Sequence, residues 1–115
     1  MRSELGDKIR LQHVLDAIEE IETYLVEIDF SIFINNSMMR FACIKQMEII
    51  GEASNHISAE IKSTFSDIKW AQIVGMRNVF AHEYFGIDSS LVWEIIKNDI
   101  PELKAKIKHI LDSLN

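Results

Sequence analysis

The 115-residue chain is long enough for one compact domain and too short for two. Its hydrophobic content of 48% and charged content of 26% are ordinary for a soluble globular domain, and no apolar run approaches the length of about 18 residues that spans a membrane. The net charge of −6 offers a polyanion no long-range attraction, so any nucleic-acid chemistry requires a local positive spot or a partner.

The first 36 residues predict one amphipathic helix and a segment that connects it to the next helix. The first ten residues contain no apolar segment, so a secretory signal is not expected. Apolar residues then recur at helical spacing from about Asp7 to Glu27, which predicts the first helix. The next segment, D-F-S-I-F-I-N-N, is short, aromatic and poorly periodic, and we expect a connection that packs on the core.

A second long helix is predicted to start after Asn36 or Ser37, either of which can cap it. Its apolar stripe continues to Ile61 and contains Cys43, the single cysteine of the chain. One cysteine cannot form an internal disulfide, and its place in an apolar stripe predicts a buried thiol. A reducing, cytoplasmic location fits these features best.

The C-terminal half predicts three further helices. A third helix starts near Trp70 and contains Gly75, where we expect the close approach of another backbone. Asp88 is a cap for the fourth helix. In D-I-P-E, Asp99 and Glu102 have the spacing of a capping box, and Pro101 is tolerated in the first turn of a fifth helix. Residues 1–115 therefore predict a single all-α domain, an up-and-down bundle of four to five helices.

The segment R-N-V-F-A-H-E-Y, from Arg77 to Tyr84, holds more polar chemistry than core packing requires. Asn78 and His82 are four residues apart and share a helix face, so the amide can orient the imidazole. Arg77 and His82 are five residues apart, roughly 140° around the helix axis. They converge on one small group only if the helix ends or loosens near His82, or if two copies of the chain meet. We favour the second arrangement.

These residue types fit the cleavage of a phosphodiester without a metal. Histidine exchanges protons near neutral pH, arginine binds phosphate oxygens as a fork, and RNA supplies its own 2′-hydroxyl nucleophile. Spacing alone also allows a plainer interpretation, because R-x4-H is a weak pattern. In that interpretation Arg77 is a surface residue, His82 is a cation at a helix C-terminus and Tyr84 packs against the core.

The longer string G-M-R-N-V-F-A-H-E-Y-F-G-I-D resembles the signature of the HEPN superfamily, and specifically that of HepT-like toxins with R-x4-H-x-Y. Further matches are E-I-I-G-E-A, from Glu48 to Ala53, and the lead-in W-x-x-I-x-G-M-R-N from Trp70. The resemblance implies an all-helical homodimer that acts as a metal-independent endoribonuclease without a cofactor, often on tRNA. It also implies a minimal nucleotidyltransferase antitoxin as partner, which AMPylates the motif tyrosine and silences the toxin.

Carried onto this chain, the resemblance makes Arg77, Asn78 and His82 the catalytic residues and Tyr84 the site of AMPylation. Glu52, in G-E-A, is a candidate supporting residue that tunes His82 or pairs with Arg77, although a solvated helix face is an equally good interpretation. Two other functions stay open. The chain could be a non-catalytic subunit that binds a nucleotidyltransferase and is modified by it, or a dimerisation bundle with a vestigial motif.

Two further features have plain interpretations. The one basic cluster of the chain consists of Lys104, Lys106, Lys108 and His109, and we attribute it to balancing the dipole of the last helix. His13 and His56 lack metal-ligand spacing to other suitable side chains, and we assign them no role.

Overall fold

A computed structural model describes the backbone of residues 2–82 and 86–115 and the side chains of residues 4–77 and 86–115. Every regular element in these ranges is a helix. The last two α-helices are joined without a break by a π-helical turn, Ile95–Asp99. In chain order the α-helices are α1 (Arg2–Tyr24), α2 (Phe30–Ile34), α3 (Ser37–Asn55), α4 (Ala59–Thr64), α5 (Trp70–His82), α6 (Ser89–Glu94) and α7 (Ile100–Leu114).

The long elements form one helical bundle, which confirms the predicted all-α fold. Helix α3 packs against both α1 and α5, and α7 packs against α1. None of the helices in the described ranges is long and apolar enough to cross a membrane. The core consists of the apolar stripes of these helices, and its fully buried members include Leu11, Ile18, Ile21, Cys43, Met47, Ile50, Ile107 and Ile110.

The helices α2 and α3 each begin at a side-chain cap. The side chain of Asn36 accepts a hydrogen bond of 3.0 Å from the backbone N–H of Met39, which confirms it as the cap of α3. The aromatic segment before it is not a plain connection, because it contains the short helix α2, capped by Asp29 through the N–H of Ile32. The prediction that this segment packs on the core is confirmed by Phe33, which is fully buried.

The predicted second helix is split in two. Helix α3 ends at Asn55, and α4 starts after Ser58, whose extended backbone and side-chain oxygen form a new N-terminal cap. The buried carboxylate of Asp7 fixes this cap, accepting hydrogen bonds from the backbone N–H of Ser58 at 2.8 Å and from its hydroxyl at 2.6 Å. The start of α1 is therefore anchored to the start of α4.

The predicted capping box in D-I-P-E is wrong. Asp99 has α-helical backbone angles and its side chain caps nothing, so the helical backbone passes into α7 without a break at this residue. Instead the N–H of Ile100 donates to the carbonyl of Ile95, five residues earlier, which is the hydrogen bond of a π-turn. Pro101 has no N–H, and its ring crowds the carbonyl four residues earlier in a regular helix. A widened turn immediately before the proline accommodates it and lets the helix continue.

The basic cluster on α7 joins elements rather than balancing a dipole. No lysine lies in the last turn of α7, so the dipole explanation is wrong. The Nζ of Lys104 lies 2.8 Å from the carboxylate of Glu22 on α1. The Nζ of Lys106 lies 3.2 Å from Glu102 and 3.4 Å from Asp67, in the turn before α5. Much of this positive charge is thus neutralised by neighbouring carboxylates.

Candidate functional site

The site is built where α3 and α5 touch backbone to backbone. A Cβ atom placed on Gly51 would lie 2.7 Å from the backbone N of Arg77 and 3.0 Å from the carbonyl oxygen of Ile73. Only glycine fits at this distance. The close approach was predicted at Gly75, and within the described residues that prediction is wrong, because none of their atoms lies within 4 Å of a Cβ placed there. The glycine that the packing requires is on the facing helix.

This contact places Arg77 of α5 beside Glu52, the residue that follows Gly51 on α3. The guanidinium Nη1 of Arg77 donates to Oε2 of Glu52 at 3.2 Å. The other carboxylate oxygen, Oε1, lies 3.1 Å from Nε2 of His56, one turn further along α3. A carboxylate only accepts hydrogen bonds, so this imidazole nitrogen carries the proton. We call these three residues the Arg77–Glu52–His56 cluster.

The cluster is partly solvated and electrostatically coupled. The exposed fractions of the side chains are 32% for Arg77, 55% for Glu52 and 52% for His56. The hydrogen bond from His56, followed by that from Arg77, lowers the pKa of Glu52 below its ordinary value. Glu52 is therefore ionised near neutral pH. The stabilisation that the lowered pKa represents is present at neutral pH and is lost as the pH falls through that pKa.

The guanidinium of Arg77 retains unused hydrogen-bonding capacity. Arginine has five N–H donors, and one nitrogen, Nη1, donates to Glu52. Among the residues that the structure describes, the buried Nε atom has no hydrogen-bond partner. Buried polar atoms without a partner are uncommon in folded proteins. A planar cation tied at one corner, with donors left over, can accept an oxyanion ligand.

The remaining predicted site residues lie at the end of α5 and beyond it. The backbone of Asn78 and His82 is α-helical, as the motif geometry requires. Their side chains, and Tyr84 altogether, lie outside the described residues. The hydrogen bond between Asn78 and His82 and the role of Tyr84 therefore stay predictions.

His56 is the site residue that the sequence reasoning missed. Its spacing from Glu52, E-x3-H, was sufficient to predict their contact, because residues four apart in helical backbone are neighbours and His56 directly follows the last residue of α3. Metal-ligand spacing, which His56 lacks, does not reveal this contact. Within the part of the chain that the structure describes, no three or more His, Cys, Asp or Glu side chains form a group that could hold a metal ion.

The helical bundle and the R-N-x3-H-x-Y segment together define a domain of the HEPN superfamily. The family model described as "Ribonuclease HepT-like" matches residues 14–110, and the chain belongs to this HepT-like family. No solved structure matches the chain.

Curated relatives agree with this assignment. The chain is 40% identical over 101 residues to "Putative RNase MJ1380" of Methanocaldococcus jannaschii, covering 88% of this chain and 93% of that protein. It is 39% identical to the "Probable ribonuclease HepT" of Thermococcus cleftensis, covering 87% of this chain and 91% of the relative. A third relative, "Gamma-glutamylcyclotransferase and putative RNase MJ0434" of M. jannaschii, is 37% identical over 94% of this chain but only 49% of its own length.

Proposed function

We propose that this protein is a metal-independent endoribonuclease, with tRNA as the proposed substrate and Arg77, Asn78 and His82 as its catalytic residues. The observation that supports the proposal best is the ion pair and partial exposure of Arg77 in a chain of the HepT-like family. Its guanidinium is anchored at one corner by Glu52 and its side chain is 32% exposed, and it shares α5 with His82. A fixed cation and a titratable imidazole on one element are the two groups that phosphodiester cleavage needs.

The proposed reaction uses the substrate as its own nucleophile. The imidazole of His82 removes the proton of a ribose 2′-hydroxyl, and the 2′-oxygen attacks the neighbouring phosphorus. The bond between phosphorus and the 5′-oxygen breaks, the 5′-oxygen leaves with a proton taken from water, and His82 returns the proton it removed to the solvent. The products are a 2′,3′-cyclic phosphate and a 5′-hydroxyl end. Arg77 stabilises the negative charge that builds on the phosphate oxygens, and Asn78 orients the imidazole.

A second copy of the chain is part of the proposal. Because α5 is helical from Arg77 to His82, the two residues leave the helix in directions about 140° apart. A single straight helix therefore brings them together poorly, whereas two α5 helices that meet across a twofold axis can combine the arginine of one copy with the histidine of the other.

Control of the nuclease is proposed to come from a minimal nucleotidyltransferase, the antitoxin of a toxin–antitoxin pair in the cytoplasm. This partner would attach AMP to the hydroxyl of Tyr84, two residues beyond His82. The added phosphate brings bulk and negative charge close to the catalytic residues, so it would exclude a substrate phosphate by sterics and by repulsion. Co-expression with the nucleotidyltransferase should add the mass of one AMP to Tyr84, and no added mass would contradict this control.

The nuclease proposal is tested with purified protein, total tRNA and EDTA. We expect cleavage that survives the chelator, leaves cyclic phosphate ends and spares DNA of the same length, because DNA has no 2′-hydroxyl. Arg77→Ala and His82→Ala should each abolish cleavage. The matched controls are Arg10→Ala and His13→Ala, which remove the same residue types from α1.

The outcomes are distinct. Cleavage that stops in EDTA contradicts metal independence, and cleavage that persists in both α5 variants contradicts the assigned residues. Intact RNA under all conditions, together with a tight complex with the nucleotidyltransferase, would support the non-catalytic subunit instead. Light scattering that finds a monomer under active conditions would remove the twofold arrangement.

A further inference from the structure

We propose that Glu52 is a positioning residue for Arg77, and that His56 holds Glu52 in place for this task. The inference rests on the proposed function, since it assigns to α3 the support of a side chain that contacts the substrate phosphate. It adds a residue, His56, that no pattern of metal ligands or catalytic motifs had selected.

An arginine at a helix surface needs support to act as a fixed cation. Its long side chain has many rotamers, and a productive pose must hold one of them. In this fold the support has two parts. Gly51 lets the backbone of α5 approach α3 until Arg77 contacts Gly51. Glu52, the next residue, accepts a hydrogen bond of 3.2 Å from Nη1 of Arg77. The hydrogen bond fixes one corner of the guanidinium, and the side chain as a whole stays 32% exposed.

His56 completes the support because a carboxylate held by one hydrogen bond can still rotate. Glu52 is 55% exposed, and core packing does little to hold such a side chain. The hydrogen bond from Nε2 of His56 to Oε1, at 3.1 Å, fixes the second oxygen. The carboxylate is then held at both oxygens, by Arg77 from α5 and by His56 from its own helix. The hydrogen bonds that lower the pKa of Glu52 come from these same two residues, His56 first and then Arg77.

A different role for Glu52 makes opposite predictions. If the carboxylate only neutralised Arg77, its removal would strengthen phosphate binding and leave the maximal rate unchanged or raised. If it positions Arg77, its removal lowers the maximal single-turnover rate more than it changes the protein concentration needed to reach half of that rate. Single-turnover cleavage of tRNA over a range of protein concentrations separates the two effects.

The variants are chosen so that shape and charge change separately. Glu52→Ala removes the support, and we expect a maximal rate lower by about 10- to 100-fold, the loss that a misplacement of about 1 Å produces. Glu52→Gln keeps an acceptor oxygen, and because a neutral hydrogen bond is roughly half as strong as a charged one, we expect a loss of about 3- to 10-fold. His56→Ala should lower the rate by a smaller factor, and His56→Gln, whose amide still donates, should restore it.

A readout that needs no activity makes the inference independent of the proposed reaction. In NMR spectra of the side chains, the Nε–H resonance of Arg77 should shift and exchange faster with water in Glu52→Ala. A carbon-13 titration should show the pKa of Glu52 rising toward its ordinary value in His56→Ala. Glu102→Ala is the matched control, because Glu102 forms an ion pair with Lys106 four residues on, on a different helix.

Each result has one meaning. If the wild-type protein cleaves RNA and Glu52→Ala cleaves it at the same maximal rate, the positioning role is refuted while the nuclease stands. If the wild-type protein cleaves no RNA, the nuclease proposal fails, and the NMR readouts alone decide whether Glu52 and His56 hold Arg77. The inference would be overturned if the Arg77 signal were unchanged in Glu52→Ala and the Glu52 titration were unchanged in His56→Ala.

Discussion

Replacing Gly51 by alanine should separate α3 from α5 and destabilise the fold, although alanine is the better helix former. The added Cβ would lie 2.7 Å from the backbone N of Arg77 and 3.0 Å from the oxygen of Ile73. An ordinary contact begins near 3.4 Å, so α5 must move away by about 0.7 Å. Both contacts are with backbone atoms, which cannot rotate aside, and overpacking of this kind destabilises by about 1–3 kcal/mol.

The net effect is smaller because alanine favours the helix by about 1 kcal/mol relative to glycine. We therefore expect Gly51→Ala to lower the free energy of unfolding in urea by about 0–2 kcal/mol. Gly75→Ala, on the facing helix, is the matched control. Its Cβ meets no atom of the described part of the chain within 4 Å, so the same substitution should raise the free energy of unfolding by about 0.5–1 kcal/mol. A Gly51→Ala protein as stable as the Gly75→Ala protein would refute this account of the helix contact.

Two further predictions concern buried groups. Asp7→Ala should lower the free energy of unfolding by about 2–3 kcal/mol, because the charged acceptor of two Ser58 donors is lost. In contrast, Asp16→Ala, which removes an exposed hydrogen bond to Gln12, should change it by less than about 0.5 kcal/mol in the same urea titration. Burial raises the pKa of the Cys43 thiol to about 11, so at pH 8 only about one thiol in a thousand is ionised, against roughly a quarter at an ordinary pKa near 8.5. The native protein should then react with Ellman's reagent at least about 100-fold more slowly than the urea-unfolded protein, and rapid labelling of the native protein would contradict the burial.

The fold was largely predictable because its information is local and repeated. Apolar residues at helical spacing and a cap such as Asn36 identify helices without knowledge of their partners. The D-I-P-E segment shows where this reasoning fails. Asp99 and Glu102 satisfy the spacing of a capping box, yet the chain stays helical through a π-turn. The buried residues Ile96, Ile100 and Leu103 on either side of that junction belong to one core, and this tertiary packing overrides the local signal.

The candidate site was predictable only in part. Arg77 and Glu52 were both identified from the sequence, but their contact joins residues 25 positions apart and depends on how two helices pack. The choice between Gly51 and Gly75 had the same difficulty, since each lies in a helix among apolar neighbours and only the packed structure shows which one faces another backbone. The contact between Glu52 and His56 is different, because its spacing within one helix was available from the start.

The arrangement of α3 links the stability of the bundle to the chemistry proposed for α5. Gly51 and Glu52 are consecutive residues of α3. Gly51 sets the distance between α3 and α5, and Glu52 binds the guanidinium of Arg77 at the edge of the same contact. A shift of about 0.7 Å at Gly51 would lengthen the 3.2 Å hydrogen bond to Arg77 beyond good geometry unless Glu52 follows. Gly51→Ala should therefore reproduce, without any change in charge, part of the loss expected for Glu52→Ala. A Gly51→Ala protein that is destabilised yet keeps the full maximal rate would show that the orientation of Arg77 does not depend on this helix contact.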